Sequence, residues 1–184
     1  MTPTMTTAEK NARFAAMSPA EKRVAIAHDV IEQLRLEKIY ATQGTYLNAP
    51  AGNAVLESNA AETFGSAACQ ACAIGSLLAC AIGAQDSVTL SDVNAIVGLR
   101  SIEMAGSDAF RYLERYFDKE QMVMIETAFE GDLISDDVFE ISRQSEHECV
   151  DFHDYYRDED GVDETRLLTA IMQNIINNNG TFVP

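Results

Sequence analysis

Hydrophobic positions in this 184-residue chain recur mostly at spacings of three and four, the period of a helix that buries one face. The clearest case follows Ser18-Pro19-Ala20-Glu21: a serine cap, a proline in the first turn and a glutamate at the third helical position. Val24, Ala27, Ile31 and Leu34 then line up as one apolar stripe, predicting a helix that runs to about Glu37. Further starts recur downstream. Ser91-Asp92 precedes Val93, Ile96 and Val97, and Ser107-Asp108 precedes Phe110, Leu113 and Phe117. Asp118 is expected to cap a helix with Met122, Ile125 and Phe129 on its buried face and Gly131 as its stop. Ser135 opens "DDVFEISRQ", and Asp163 caps a last helix carrying Leu167, Ile171 and Ile175, ended by "NNNG".

Two stretches break the period. Residues 1–17 are rich in Thr and Ala without a firm repeat, and read as a loose arm or a short helix. "KIYATQGTYLNAPAGNA" puts β-branched and Tyr residues before turn formers, predicting an extended segment near residues 39–47 and a loop, with residues 48–59 as an excursion.

A third stretch is apolar almost all round. From a cap at Ser66 to Gly83, helical spacing puts Cys69, Cys72, Ala73, Ser76 and Cys80 on one face. Ala68, Gly75, Ala79 and Gly83 offer close-approach surface, and Ile74, Leu77, Leu78 and Ile82 cover the other sides. Such a helix belongs at the centre of a bundle. The expectation is a mainly α, single-domain bundle of about seven helices around this Ala/Cys/Gly-rich helix, spanning residues 18–184 behind the N-terminal arm.

Composition sharpens this picture. Tryptophan is absent and aromatics are 8%, so the core is built from Ala, Ile, Leu, Val and Met. The net charge of −16 is lopsided: residues 1–50 hold 6 Lys/Arg and 5 Asp/Glu, residues 51–184 hold 7 and 24. That field repels nucleic-acid phosphates and anionic membranes and favours basic protein surfaces. No basic start followed by an apolar core marks a signal peptide, and the run at 67–83 is short and lean for a membrane span. With four clustered cysteines, the expectation is a reduced, cytoplasmic protein without a disulfide scaffold.

The cysteines could carry chemistry in three ways besides filling space. Cys69 and Cys72 with Cys149 and His153, the latter two at i and i+4, make a set chemically suited to zinc. Cys69 in a first helical turn could be a nucleophile, with His147 or His153 as base and Asp151 or Asp154 orienting it. Redox exchange through Cys69 and Cys72 would need the pair to follow a strand. The packing reading, with no cofactor, fits the apolar surroundings best.

The acidic excess peaks between residues 130 and 164, with 14 Asp/Glu against Arg143 and Arg157. An EF-hand fails on register: Gly161 at the sixth loop position puts Tyr156 at the first and Leu167 at the twelfth, where carboxylates are required. What remains is a negative surface, possible as a mimic of nucleic acid, with Glu146, Glu148, Asp151, Asp154, Tyr155, Tyr156, Asp158, Glu159 and Asp160 as its partner-binding candidates.

"GTYL" at 44–47, followed after a loop by "CAIGSLL" at 72–78, resembles the Tyr/Gly segment and Cys-Ala-x-Gly-Ala-Leu helix of small uncharacterised phage and bacterial domains. Ser76 stands where those domains usually carry Ala, and the Trp often found before the Tyr segment is absent. The resemblance implies a compact fold with the Cys-Ala-x-Gly helix packed centrally, and it transfers no catalytic residues. The functional expectation is a non-catalytic acidic module that binds a basic protein partner, of the phage-accessory or host-directed-inhibitor kind. The alternative is a small Cys-dependent enzyme or zinc-supported domain.

Overall fold

In a computed structural model, residues 6–48, 68–83, 108–131, 143–159 and 161–184 are described. Among them the chain is mostly helical. The elements run α1 (Thr7–Ala16), α2 (Pro19–Arg35), β1 (Ile39–Ala41), β2 (Leu47–Asn48), β3 (Cys69–Ala71), α3 (Ala73–Gly83), α4 (Asp108–Leu113), α5 (Lys119–Glu130), α6 (Arg143–Asp154), β4 (Arg157–Asp158), β5 (Gly161–Val162) and α7 (Glu164–Asn177). The expected helix after Ser91, the start at Ser135, the excursion after Asn48 and the cap at Ser66 lie outside the described residues.

The helix starts follow their caps. Ser18 and Glu21 close a reciprocal capping box on α2, Asp118 accepts from Gln121 N at 2.8 Å, and Asp163 accepts from Arg166 N at 2.9 Å. Thr6 and Glu9 make the same box on α1, so of the two expectations for the N-terminal stretch, a loose arm or a short helix, residues 7–16 take the helix. It docks through buried Phe14, whose ring meets Tyr116 edge-on at 5.9 Å. On α2 the stripe is turned slightly from the expected one: Ile26, Ala27, Val30 and Leu34 are buried, while Val24 and Ile31 are half-buried. The helix stops at Arg35, and Glu37 takes a left-handed φ of 56°.

Helices α2 and α7 pack along each other, as do α5 and α6, and α3 lies against α2, α4 and α5. Every residue of α3 from Ala73 to Ile82 is buried. At eleven residues it spans only ~16 Å, about half a bilayer's hydrocarbon core, and no described helix is long and apolar enough to cross a membrane.

The expected start of this central helix is corrected. Cys69–Ala71 is a strand and Cys72 sits at the junction before α3. The sheet order is β1-β3-β2, with β1 parallel and β2 antiparallel to β3. Ile39, Ala41, Leu47, Cys69 and Ala71 face inward, while Tyr40 and Gln70 point out. Three-residue strands are too short to show a period of their own, and "CQA" fits a helical face equally well.

One close approach fixes the junction. Cys72 N donates to the carbonyls of Thr45 (2.7 Å) and Tyr46 (3.2 Å), which seats the chain before β2 on the head of α3. A Cβ on Gly75 would lie 1.7 Å from the Tyr46 carbonyl oxygen and 2.7 Å from its carbon. Only glycine fits there. At Gly83 on the same helix, no described residue lies within 4 Å of an added Cβ. Gly75→Ala is therefore expected to lower the unfolding free energy by at least about 3 kcal/mol in urea titrations, and Gly83→Ala to stay within about 1 kcal/mol of wild type. Equal effects of the two substitutions would contradict this account of the junction.

Candidate functional site

Two groups of polar residues stand out, one buried and one exposed. The buried group gathers around the Gln43–Gly44 turn between β1 and β2. Gly44 takes a φ of 68°, which suits glycine, and the turn presents two successive backbone N–H groups. Gln43 N donates to Glu164 Oε1 at 3.0 Å, and Gly44 N donates to Glu130 Oε2 at 2.8 Å. Glu164 comes from the first turn of α7 and Glu130 from the last of α5. Two carboxylates far apart in sequence thus hold one turn.

The Gln43 side chain extends the group. Its Nε2 donates to the Phe129 carbonyl and lies 3.0 Å from His153 Nε2. A carbonyl only accepts, so the amide nitrogen is the atom that faces both partners, and His153 Nε2 is an acceptor. The imidazole proton then resides on Nδ1, which donates to Asp154 Oδ1 at 3.2 Å. The His153 ring packs on Gly131, where an added Cβ would come within 2.7 Å of Cε1. Gly131, expected only as a helix stop with its φ of 60°, also makes room for this ring.

Glu130 is 3% exposed. Burial pushes its carboxyl up to about 7, the Gly44 N–H pulls it down, and the nearby Glu164 charge raises it further. Sequence reasoning placed Glu130 in the acidic surface; the fold puts it inside. Gln43 and Glu164 were also missed as partners, because nothing local marks contacts made across 86 and 121 residues.

The four cysteines are free and buried. The zinc set does not assemble: among the described residues, no group of three or more His, Cys, Asp or Glu is placed to hold a metal ion. The strand is the physical reason. With Cys69 in β3 and Cys72 past its end, the two do not share one helical face. Cys69 neighbours Cys80 electrostatically, whereas Cys72 neighbours Glu126 and Glu130.

The first helical turn expected for Cys69, on which its nucleophile reading rested, is corrected: Cys69 lies in β3, and burial pushes its thiol up to about 11. Cys72, not Cys69, heads the central helix. A helix N-terminus favours a thiolate by at most ~2 kcal/mol, while complete burial costs several, and the Glu126 and Glu130 charges act in the same sense as burial. Its thiol is held well above the ordinary range. Cys80 is raised by burial and by Asp29, and Cys149 is pushed to about 12, mainly by burial. Tyr46 OH is buried without a hydrogen-bond partner among the described residues, and desolvation, with Cys72 and Glu126 nearby, raises its pKa as well.

The exposed group lies on α6 and the β4–β5 hairpin. Glu148, Asp151 and Asp154 are exposed on α6, and Asp158 and Glu159 on the hairpin. Tyr155 is 76% exposed and Tyr156 half-buried. The Glu146 side chain and Asp160 lie outside the described residues. A ladder of rings supports this surface: Phe182 meets Phe152 edge-on at 5.5 Å, Phe152 meets Tyr156 at 5.5 Å, and Tyr156 meets Tyr155 at 5.1 Å. The Arg166 guanidinium covers Tyr156 at 5.4 Å.

Comparison with protein-family models, with curated proteins and with solved structures finds none that matches, so no relative assigns a role to either group.

Two measurements check this geometry. In native protein, none of the four thiols is expected to react with a disulfide reagent on the time scale at which denatured protein reacts at all four. Fast native labelling of Cys72 would show that the junction is open. Glu130 binds its proton more tightly in the folded chain, so its contribution is complete below the unfolded glutamate pKa of ~4.3 and is lost as pH rises through about 7. Glu130→Gln keeps an acceptor for Gly44 N and removes that loss. It is expected to gain up to about 3 kcal/mol on wild type between pH ~4.5 and ~7.5 in denaturant titrations. A pH-independent difference would contradict the buried carboxyl.

Proposed function

We propose that this chain is a non-catalytic acidic protein-binding module that presents α6 and the β4–β5 hairpin to a basic protein surface. The observation that carries the reading is Tyr155, an aromatic side chain 76% exposed and in edge-on contact with Tyr156 at 5.1 Å. Binding costs less when the contact residue is fixed beforehand, and tyrosine contributes large apolar area with a polar tip. Around it, the exposed carboxylates of Glu148, Asp151, Asp154, Asp158 and Glu159 would steer a cationic partner and set its register. The buried, high-pKa thiols support a binder over the cysteine-enzyme alternative. A phage accessory protein or a host-directed inhibitor that occupies a nucleic-acid-binding surface would use such a face.

The test is affinity capture with immobilised chain. A specific partner is expected to be retained at ~50 mM salt and released at ~500 mM, because screening shortens the reach of the exposed carboxylates. Tyr155→Ala should abolish retention without moving the melting temperature, and Glu148→Gln with Asp151→Asn should weaken it at low salt only. A partner held equally by wild type and Tyr155→Ala, or no basic partner at low salt, overturns the reading.

A further inference from the structure

We propose that Glu130 is the proton-operated catch of a clamp holding the Gln43–Gly44 turn between α5 and α7. The clamp has two jaws on two successive N–H groups: Glu130 on Gly44 at 2.8 Å and Glu164 on Gln43 at 3.0 Å. The jaws differ in their access to water. Glu130 is 3% exposed, whereas Glu164 is half-buried.

Among the described residues, the side-chain charge that acts on Glu130 is a carboxylate, that of Glu164. Its own helix supplies buried Glu126, one turn earlier. The junction before α3 supplies the Cys72 thiol, which both glutamates influence. From α7 comes Glu164, whose charge acts on Glu130 directly. From α6 comes His153, bonded to Gln43 and packed on Gly131, with Asp154 behind it. The turn itself contributes amide dipoles.

Protonated, Glu130 still accepts from Gly44 with one oxygen and puts no charge against Glu164. Both jaws are then compatible. Ionised, it places a second anion in a corner where water is scarce and each carboxylate has one backbone donor from the turn. Repulsion then acts on the jaw that water can solvate, and the Glu164–Gln43 bond gives way first. The carboxyl's position near neutral pH, set mainly by burial, puts the transition in an accessible range. The catch would work whether or not the acidic face binds a partner.

Amide hydrogen exchange of the full chain, followed by NMR across pH ~6 to ~8.5, tests the catch. With base-catalysed intrinsic exchange divided out, protection at Gln43 is expected to fall on the order of tenfold as pH rises through neutral, while Gly44, whose bond to Glu130 strengthens on ionisation, and the α2 amides hold theirs. In Glu130→Gln the two turn amides should stay protected throughout. A carboxyl carbon-13 titration of wild type should place Glu130 near neutral and, in Glu164→Gln, at lower pH. Flat protection in wild type overturns the proposal. So does an equal fall in Glu130→Gln, a parallel fall across α2, or a Glu130 midpoint in the ordinary carboxylate range near ~4.3.

Discussion

The contact on which the rest depends is the Tyr46 carbonyl resting on the backbone of α3 at Gly75. That carbonyl also accepts from Cys72 N, so the chain before β2 is pinned to the helix head by a hydrogen bond and by the missing side chain. From this seat β2 pairs with β3, Leu47 opposite Ala71, and Tyr46 and Leu47 enter the core. Two residues before Tyr46 lies Gly44, so the same seat sets where the turn meets Glu130 and Glu164. A side chain at position 75 would push on backbone, which cannot swing aside as a side chain tip can. The segments "GTYL" and "CAIGSLL" are therefore the two halves of one contact.

Local signals in the sequence reached the local features. Caps at Ser18, Asp118 and Asp163 were legible because the capping residue and its target lie three positions apart. Leu167, Ile171 and Ile175 were legible because a helix repeats its buried face. The centrality of α3 was legible from its lack of any polar side. The extended segment near residues 39–47 was legible from its β-branched and Tyr residues and holds β1 and the start of β2, whereas β3 was not, since its place is set by a partner about 30 residues away, as between Cys69 and Ile39. The buried polar group was hidden for a related reason. A glutamate in "TAFEG" reads as surface, and only the approach of the Gly44 N–H turns it into an interior residue.

The distribution of acid and sulfur follows from what each can tolerate away from water. A thiol enters the core as a small apolar group, and the cost of ionising it there keeps it protonated. Cys72 sits at the end of a helix yet is held neutral by burial and two carboxyl neighbours, so the helix dipole loses to desolvation. A carboxyl cannot enter so freely. Glu130 does so with a backbone donor and a raised affinity for its proton, while Glu164 stays half in water with a donor of its own.

Among the described residues, the acidic groups thus form two populations with different physics. One is interior and governed by proton occupancy; the other is exterior and governed by screening. Asp154 joins them. Its carboxylate accepts the His153 Nδ1 proton on the inner side and lies 3.8 Å from Arg157 on the outer side. It is also the last residue of α6, immediately before Tyr155. The His153 bond therefore anchors the helix end from which the exposed tyrosine departs, and the Phe152–Tyr156 contact anchors the same point from the other side. An exposed ring held at both its approaches loses little freedom on being covered, so its place in the surface is set by the interior that supports it.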